Sequence, residues 1–426
     1  MRAWQHPQIP SVPGPSTAPW LHDTASDSLV EAKPTDVARL YVCGITPYDA
    51  THIGHAATYL AFDTLQRVWR DAGYRVHYAQ NVTDVDDPLL ERAIATGVDW
   101  RDLAESQVEL FRTDMAALRI IPPNDYVAVT DVIDEVAAAV GQLVAAGMAY
   151  SVPTADALSV TPVDGTDPVR GSDVYFDIAA AERQTAWQIG DESNLSRADM
   201  LLLSAERGGD PDRPGKRDPL DPMLWRAARA GEPAWESEVG PGRPGWHIEC
   251  SVIALQELGT DFTVQGGGAD LIFPHHDMSA GHAAALSGHP LAGVYSHTGM
   301  VAYQGEKMSK SLGNLVLVSV LLQQGADARA IRLALLAQHY RTDWTWTDAH
   351  LGIGTARLAR WTAAFGADAV PGTATSSYVI GTLRTALVND LDTPTALALV
   401  DKAALTGVSD PALLARAVDA LLGVDL

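Results

Sequence analysis

Residues 38–83 read as strand, helix, strand, and that order constrains the fold more than any other feature of the chain. ARLYVCGIT (38–46) is an apolar run suited to a buried strand. HAATYLAFDTLQRVWRDAG (55–73) spaces its apolar residues as an amphipathic helix does, and RVHYAQNVT (75–83) is a second strand. Strand, helix and strand in this order close as a parallel crossover, the unit from which doubly wound sheets are built.

The pattern resumes late in the chain. HIECSVIALQEL reads as helix, DFTVQGG as strand, HHDMSAGHAAALSG as helix and GVYSHTGMVAY as one strand. Further helices are expected at 88–96, 100–118 and 131–147, and then at 327–339, 347–365, 375–389, 394–404 and 411–422. Residues 149–187 are dense in Val, Thr, Asp, Gly and Pro and predict a β-rich insertion, whereas residues 1–37 read as an extended Pro- and Ser-rich arm with little regular structure. The expected fold class is α/β: a Rossmann catalytic domain whose parallel sheet is split by an insertion, followed by a C-terminal helical bundle. The expected divisions are 1–37 (arm), 38–148 (first half of the catalytic domain), 149–240 (insertion), 241–320 (second half) and 321–426 (helical domain).

Composition narrows the function. Acidic residues number 53 against 30 Lys and Arg, a net charge of −23, so the surface on average repels nucleic acid and a small-molecule substrate is favoured. The start has no apolar stretch behind a basic end, no apolar run is long enough to span a membrane, and two cysteines cannot build a disulfide framework. A cytoplasmic protein is expected.

Three features carry chemistry. HIGH (52–55) falls where a strand gives way to a helix, where free backbone N–H groups and the helix dipole favour an anion. His52 and His55 can donate to phosphate oxygens there, although four such residues also make an ordinary polar turn. KMSKS (307–311) holds Lys307 and Lys310, two of only five lysines in the chain. They form either a clamp for pyrophosphate or a solvated basic loop. Cys43 and Cys250 lie about half the chain apart, and are either small buried apolar residues or partners brought together by the fold.

HIGH and KMSKS in this order resemble the class I aminoacyl-tRNA synthetases. YVCGITPYDATHIGHAATYLAFD, NVTDVDD (81–87), GRPGWHIEC (242–250), GGGADLIFPHH (266–276) and NDLDTPTALA (389–398) are similar to cysteinyl-tRNA synthetases. The resemblance implies one zinc ion per chain held by Cys43, Cys250 and His275, with a fourth position open to a substrate thiolate. His276 is then a residue that orients the ligands. It also implies ATP as substrate with Mg²⁺, catalytic roles for His52, His55, Lys307 and Lys310, and an adenylate pocket formed by Cys43, Gly44, Ile45, Thr46 and Thr58. Asn81, Val82 and Thr83 would approach the adenylate, Trp246 the zinc-bound side chain, Gly268, Ala269 and Asp270 the ribose, and Val301 the adenine. Asp84, Asp86 and Asp87 read as a solvated acidic loop rather than a second metal site.

Two departures and one addition redirect the function. Ser279 stands where those synthetases carry a further zinc-associated glutamate, with Asp277 nearby; which of the two approaches the metal is open. Only 115 residues follow Ser311, too few for the expected anticodon-binding tail. ERGGDP (206–211), the short tail and the ending LLGVDL are similar to the cysteine ligases of mycothiol biosynthesis. That resemblance implies ATP, L-cysteine and glucosaminyl-inositol as substrates, with no tRNA, no membrane and a monomeric chain. The alternatives are a compact cysteinyl-tRNA synthetase and a zinc- and nucleotide-binding regulator without catalysis.

Overall fold

The structure, a computed structural model, describes residues 1–48, 51–160, 169–308 and 313–426; of residues 159–160, 169–170 and 307 it describes the backbone. Its centre is a five-stranded parallel sheet in the order Tyr295–Thr298, Val264–Gly268, Val37–Val42, Arg75–Val82, Asp125–Ala128. From Val37–Val42 the chain first moves one way across the sheet and later returns on the other side. Chain order therefore reverses at that strand, and a crevice opens beyond its C-terminal end.

The two-residue period of the strand decides what faces what. Ala38, Leu40 and Val42 enter one apolar core with the helix Ile53–Asp71 and the C-terminal helices. Tyr41 and Cys43 point to the opposite face, into a second core shared with the helices Ile133–Ala145, Trp246–Leu258 and Asp277–Ser287. Cys43 is thereby aimed at the layer that carries Cys250 and follows His275.

Between the two halves of the sheet lies a four-stranded antiparallel sheet, ordered Gly242–Pro244, Met223–Ala227, Ser172–Phe176, Ala149–Pro153. The expected β-rich segment also contains a helix, Ile178–Gln184, capped by the Asp177 carboxylate. Residues 161–168 of that segment lie outside the described residues.

Two expectations are corrected. The N-terminal arm holds a hairpin, Trp20–Asp23 with Ser28–Glu31, whose turn is tied by Asp23 accepting from Ser26. Asp23 also accepts from the Tyr295 N–H, and the Thr24 N–H donates to the Tyr295 carbonyl, so the hairpin flanks the sheet edge. GVYSHTGMVAY is two strands rather than one. It breaks at Gly299, and Val301–Tyr303 leaves the central sheet to pair with Trp344–Trp346 and Glu306–Lys307. That turn carries Met300 and Val301 into the crevice wall and delivers the KMSKS stem to its mouth.

The tail is helical: Ala328–Leu336, Asp348–Phe365, Ser376–Val388, Thr393–Thr406 and Pro411–Leu422. No described helix is long and apolar enough to cross a membrane.

Candidate active site

The crevice is a cavity of about 480 Å³. Of the residues singled out from sequence, Cys43, Gly44, Ile45, Thr46, His52, His55, Thr58, Trp246, Gly268, Asp270 and Val301 line it. Ala269 lies in an adjoining hollow of about 460 Å³ that shares Asp270 and Val301 with the crevice. Asn81, Val82 and Thr83 are buried behind the wall. Lys310 and the side chain of Lys307 lie outside the described residues, while Met308 between them lines the cavity.

His52 caps the helix Ile53–Asp71, its Nδ1 accepting from the Gly54 N–H at 3.0 Å. A Cβ on Gly54 would lie 2.8 Å from the His52 ring, so glycine is what admits the imidazole. The His52 and His55 rings stand 4.0 Å apart, tilted by 31°, at the positive end of a 19-residue helix. Burial lowers the His55 pKa to about 4, so at neutral pH it is an uncharged hydrogen-bond donor. Thr58 donates to the Gly54 carbonyl and meets the Thr298 hydroxyl at 2.9 Å, joining the helix start to the outer strand.

Behind this wall, Cys43, Cys250 and His275 bring their ligand atoms within 4.8 Å of one another, and all three are buried. Both thiols are free, and burial beside Cys43 raises the Cys250 thiol well above its ordinary pKa. Without a cation this is an unfavourable place for a thiolate. A cation reverses that, because a coordinating thiol is deprotonated outright. The His275 Nε2 is buried with no hydrogen-bond partner, whereas its Nδ1 lies 3.0 Å from His247 Nδ1. When Nδ1 of His275 carries the proton and donates to His247, the Nε2 lone pair is left for a metal. Two soft sulfurs and one imidazole suit zinc, and three protein ligands leave one position open. The Trp246 ring lies 4.6 Å from the His275 ring, tilted by 39°, and also faces the crevice.

Sequence reasoning named His276, whose Nε2 lies 3.3 Å from Cys43 Sγ, but missed the other groups that hold this corner. Gln265 Nε2 donates to Cys43 Sγ at 3.4 Å and to His276 Nε2 at 3.1 Å. With Nε2 accepting, His276 carries its proton on Nδ1 and donates to His297 Nε2 at 2.6 Å. His297 Nδ1 in turn meets the Thr24 hydroxyl at 2.7 Å. Gln265 is the one polar side chain of the strand Val264–Gly268, which is otherwise valine and glycine.

Neither Asp277 nor Ser279 joins the ligand group. Asp277 accepts from the Gly190 N–H at 3.0 Å, toward the insertion, and burial raises its pKa to about 6. The Ser279 hydroxyl reaches the His247 carbonyl at 3.4 Å. The acidic loop is structural in a different way from expected. Asp84 accepts from Thr130, Asp86 caps the helix Asp87–Thr96, and Asp87 pairs with Arg243.

Asn81 and Thr83 brace the site from behind. Asn81 Oδ1 accepts from the Gly44 N–H at 2.7 Å, and a Cβ on Gly44 would fall 1.7 Å from the Asn81 carbonyl, so only glycine lets the two strand ends meet. Thr83 donates to Glu249, the neighbour of Cys250, at 2.7 Å. Arg207 of ERGGDP donates to the carbonyls of Asp270 and Phe273, tying the insertion to the turn between the crevice and His275.

A parallel sheet with a nucleotide-type cleft at its switch point, a histidine pair at a helix N-terminus and a Cys₂His corner define the catalytic fold of a class I synthetase. Residues 29–355 match the family described as tRNA synthetases class I (C) catalytic domain, and the chain belongs to that family. The L-cysteine:1D-myo-inositol 2-amino-2-deoxy-alpha-D-glucopyranoside ligase of Clavibacter michiganensis is 63% identical over 431 residues, covering 100% of this chain and 99% of the relative. The ligase of the same name from Kocuria rhizophila is 55% identical, with 100% of both chains covered. Among solved structures, methionyl-tRNA synthetase of Mycobacterium tuberculosis bound by methionyl-adenylate superimposes with a TM-score of 0.63 at 15% identity, covering 91% of this chain and 92% of that one. At that identity the likeness is one of fold.

Proposed function

We propose that this chain is an ATP-dependent ligase that joins L-cysteine to the 2-amino group of glucosaminyl-inositol, the cysteine-adding step of mycothiol biosynthesis. The observation that carries this reading is that Cys43 belongs both to the three-residue ligand group and to the wall of the cleft holding His52 and His55. A cysteine side chain directed at the one would place its carboxylate toward the other. Full-length relatives named as such ligases support the choice of acceptor.

The reaction has two steps. The cysteine carboxylate oxygen attacks the α-phosphorus of ATP, the bond to the bridging oxygen breaks, and diphosphate leaves with Mg²⁺. His52 and His55 donate to the phosphate oxygens as charge develops, and Lys307 and Lys310 neutralise the leaving diphosphate. Asp270 accepts from the ribose hydroxyls, and the backbone at Val301 meets the adenine. The sugar amine, in its neutral form, then attacks the acyl carbon; AMP leaves, an amide forms and the amine proton passes to solvent. No protein nucleophile is needed, so catalysis is mainly positioning and electrostatics. Zinc on Cys43, Cys250 and His275, when bound, supplies a position that prefers thiolate to hydroxyl and so separates cysteine from serine. The net charge of −23 agrees with a small acceptor rather than tRNA.

The test is a product analysis. Zinc-loaded protein incubated with ATP, cysteine and glucosaminyl-inositol should yield AMP and a new sugar amide by mass spectrometry. Cysteinyl-tRNA formed in a parallel reaction with bulk tRNA, and no amide, would overturn the reading. Lys310→Ala should slow cysteine-dependent ATP–diphosphate exchange about 100-fold or more while leaving cysteine binding unchanged.

A further inference from the structure

The strand Val264–Gly268 carries one side chain that can hydrogen-bond, that of Gln265. Val264 points into the first apolar core, so its neighbour Gln265 points to the opposite face, the one that holds Tyr41 and Cys43. The parallel register sets Gln265 level with Tyr41, and Cys43 lies two residues further along the adjacent strand. Gly267, next on the same face, lets His276 come close, since a Cβ there would lie 3.0 Å from its ring.

The backbone of Cys43 is held on both sides. Its N–H donates to the Gly266 carbonyl at 3.2 Å, and its carbonyl accepts from the Tyr59 hydroxyl at 3.1 Å. Two side-chain nitrogens reach its sulfur, Gln265 Nε2 at 3.4 Å and His276 Nε2 at 3.3 Å. The imidazole nitrogen is an acceptor, because the ring proton sits on Nδ1 and goes to His297. A thiolate at Cys43 would therefore set two lone pairs against each other. The Gln265 amide resolves this by giving one N–H to the sulfur and the other to the imidazole, 3.1 Å away.

Charge shows why that matters. Zinc with two thiolates and one neutral imidazole has no net charge, and an uncharged water or alcohol in the fourth position leaves it so. A third thiolate turns the group into an anion. Cys43, Cys250, His275 and Gln265 are all buried, so water does little to stabilise that anion. An N–H aimed at one of the sulfurs does, and hydrogen bonds to ionised groups are roughly twice as strong as neutral ones. The benefit is larger with a thiolate bound than with a hydroxyl bound, which makes it a difference between ligands rather than uniform binding.

We infer that Gln265 is a specificity-determining residue: its side-chain N–H on Cys43 lets the corner hold a third thiolate and so favours cysteine over serine. The inference rests on the reading of the corner as a zinc site with L-cysteine as substrate, and adds to it a group that is not itself a ligand. Gln265 acts through Cys43, as a positioning residue.

The experiment compares zinc-loaded wild type with Gln265→Leu, which keeps most of the side chain's bulk and removes its N–H. Zinc should stay at one per chain. By calorimetry the dissociation constant of L-cysteine should rise about tenfold, while that of L-serine moves less than about twofold. In ATP–diphosphate exchange the KM for cysteine should rise about tenfold with kcat within about twofold of wild type. Equal weakening of both amino acids, or an unchanged affinity for cysteine, overturns the role of Gln265 alone. Should the variant fail to fold, wild-type protein loaded with cadmium-113 decides the matter. Scalar coupling between the metal and the Gln265 side-chain amide proton, passed through the Cys43 sulfur, is expected, and its absence overturns the assignment. A wild-type protein whose bound zinc gains no sulfur when cysteine is added overturns the zinc reading itself.

Discussion

Two of the buried polar clusters among the described residues are finished differently. The first joins the helix Ile53–Asp71 to the tail. Asp63 accepts from Arg67 Nε at 2.8 Å, from Arg332 and from the Ile121 N–H at 2.9 Å. The remaining guanidinium nitrogens go to the carbonyls of Leu118, Arg119, Asp419, Ala420 and Leu422. Gly423 makes room for this, since a Cβ there would lie 2.4 Å from the Arg332 guanidinium. Burial alone would raise the Asp63 pKa, but Arg332 and Arg67 outweigh it and hold the carboxyl below the ordinary range.

The second cluster, around Cys43, Cys250 and His275, is as deeply buried but leaves His275 Nε2 without a partner and two thiols side by side. A buried polar atom left unpaired costs about 1–3 kcal/mol, and a metal ion on His275 Nε2 would remove that cost. The closed cluster attaches a domain. The other has the donor set of a metal site.

The contrast can be broken in several ways, the largest first. Cys43→Ser or Cys250→Ser should abolish stoichiometric zinc and reduce cysteine-dependent exchange by well over 100-fold, with chemical stability in metal-free buffer unchanged. Full activity without metal would refute the open-site view. Arg332→Met should do the converse. It leaves Asp63 short of a cation and costs about 3–5 kcal/mol in denaturant unfolding, yet zinc content per folded chain stays at one. Loss of zinc from that folded variant would show that the two clusters are not independent.

A smaller effect is expected at the support of the open site. His247→Phe removes the partner of His275 Nδ1 and should weaken zinc affinity about 10–100-fold without moving the unfolding midpoint of metal-free protein. Unaltered affinity would mean that His247 does not orient the ligand. The subtlest concerns His55. Burial disfavours its cation, so its pKa lies at about 4, and it stays neutral as pH falls from 7 until near that value. Nitrogen-15 NMR titration should show this in free protein, and ATP should shift the transition upward because polyphosphate favours the charged ring. A free-protein transition at the ordinary value near 6.5 would contradict the geometry.

What could be read from sequence follows the same division. The parallel crossover and the switch point were legible because strand period and helix period depend on residues near one another in the chain, whereas the grouping of Cys43, Cys250 and His275 came only from the resemblance to cysteinyl-tRNA synthetases. The supports were not legible. His247, Gln265, His297 and Thr24 converge from four separate segments, and nothing local marks a buried histidine as one that holds another. Arg332 inside ARAIRLALL was detectable only as a polar residue where an apolar one belongs, and Gln265 only as the one polar side chain of VQGGG. The hairpin of the N-terminal arm was hidden because its strands are four residues each and gain their stability from the sheet edge they flank.

The most direct test of the open site is zinc K-edge absorption spectroscopy on the purified protein. One zinc per chain is expected, with two sulfur ligands at about 2.3 Å and one imidazole nitrogen at about 2.0–2.1 Å. Added L-cysteine should bring a third sulfur, and L-serine should leave the spectrum unchanged. Zinc bound with no sulfur ligands, or a spectrum that cysteine does not alter, would contradict the account.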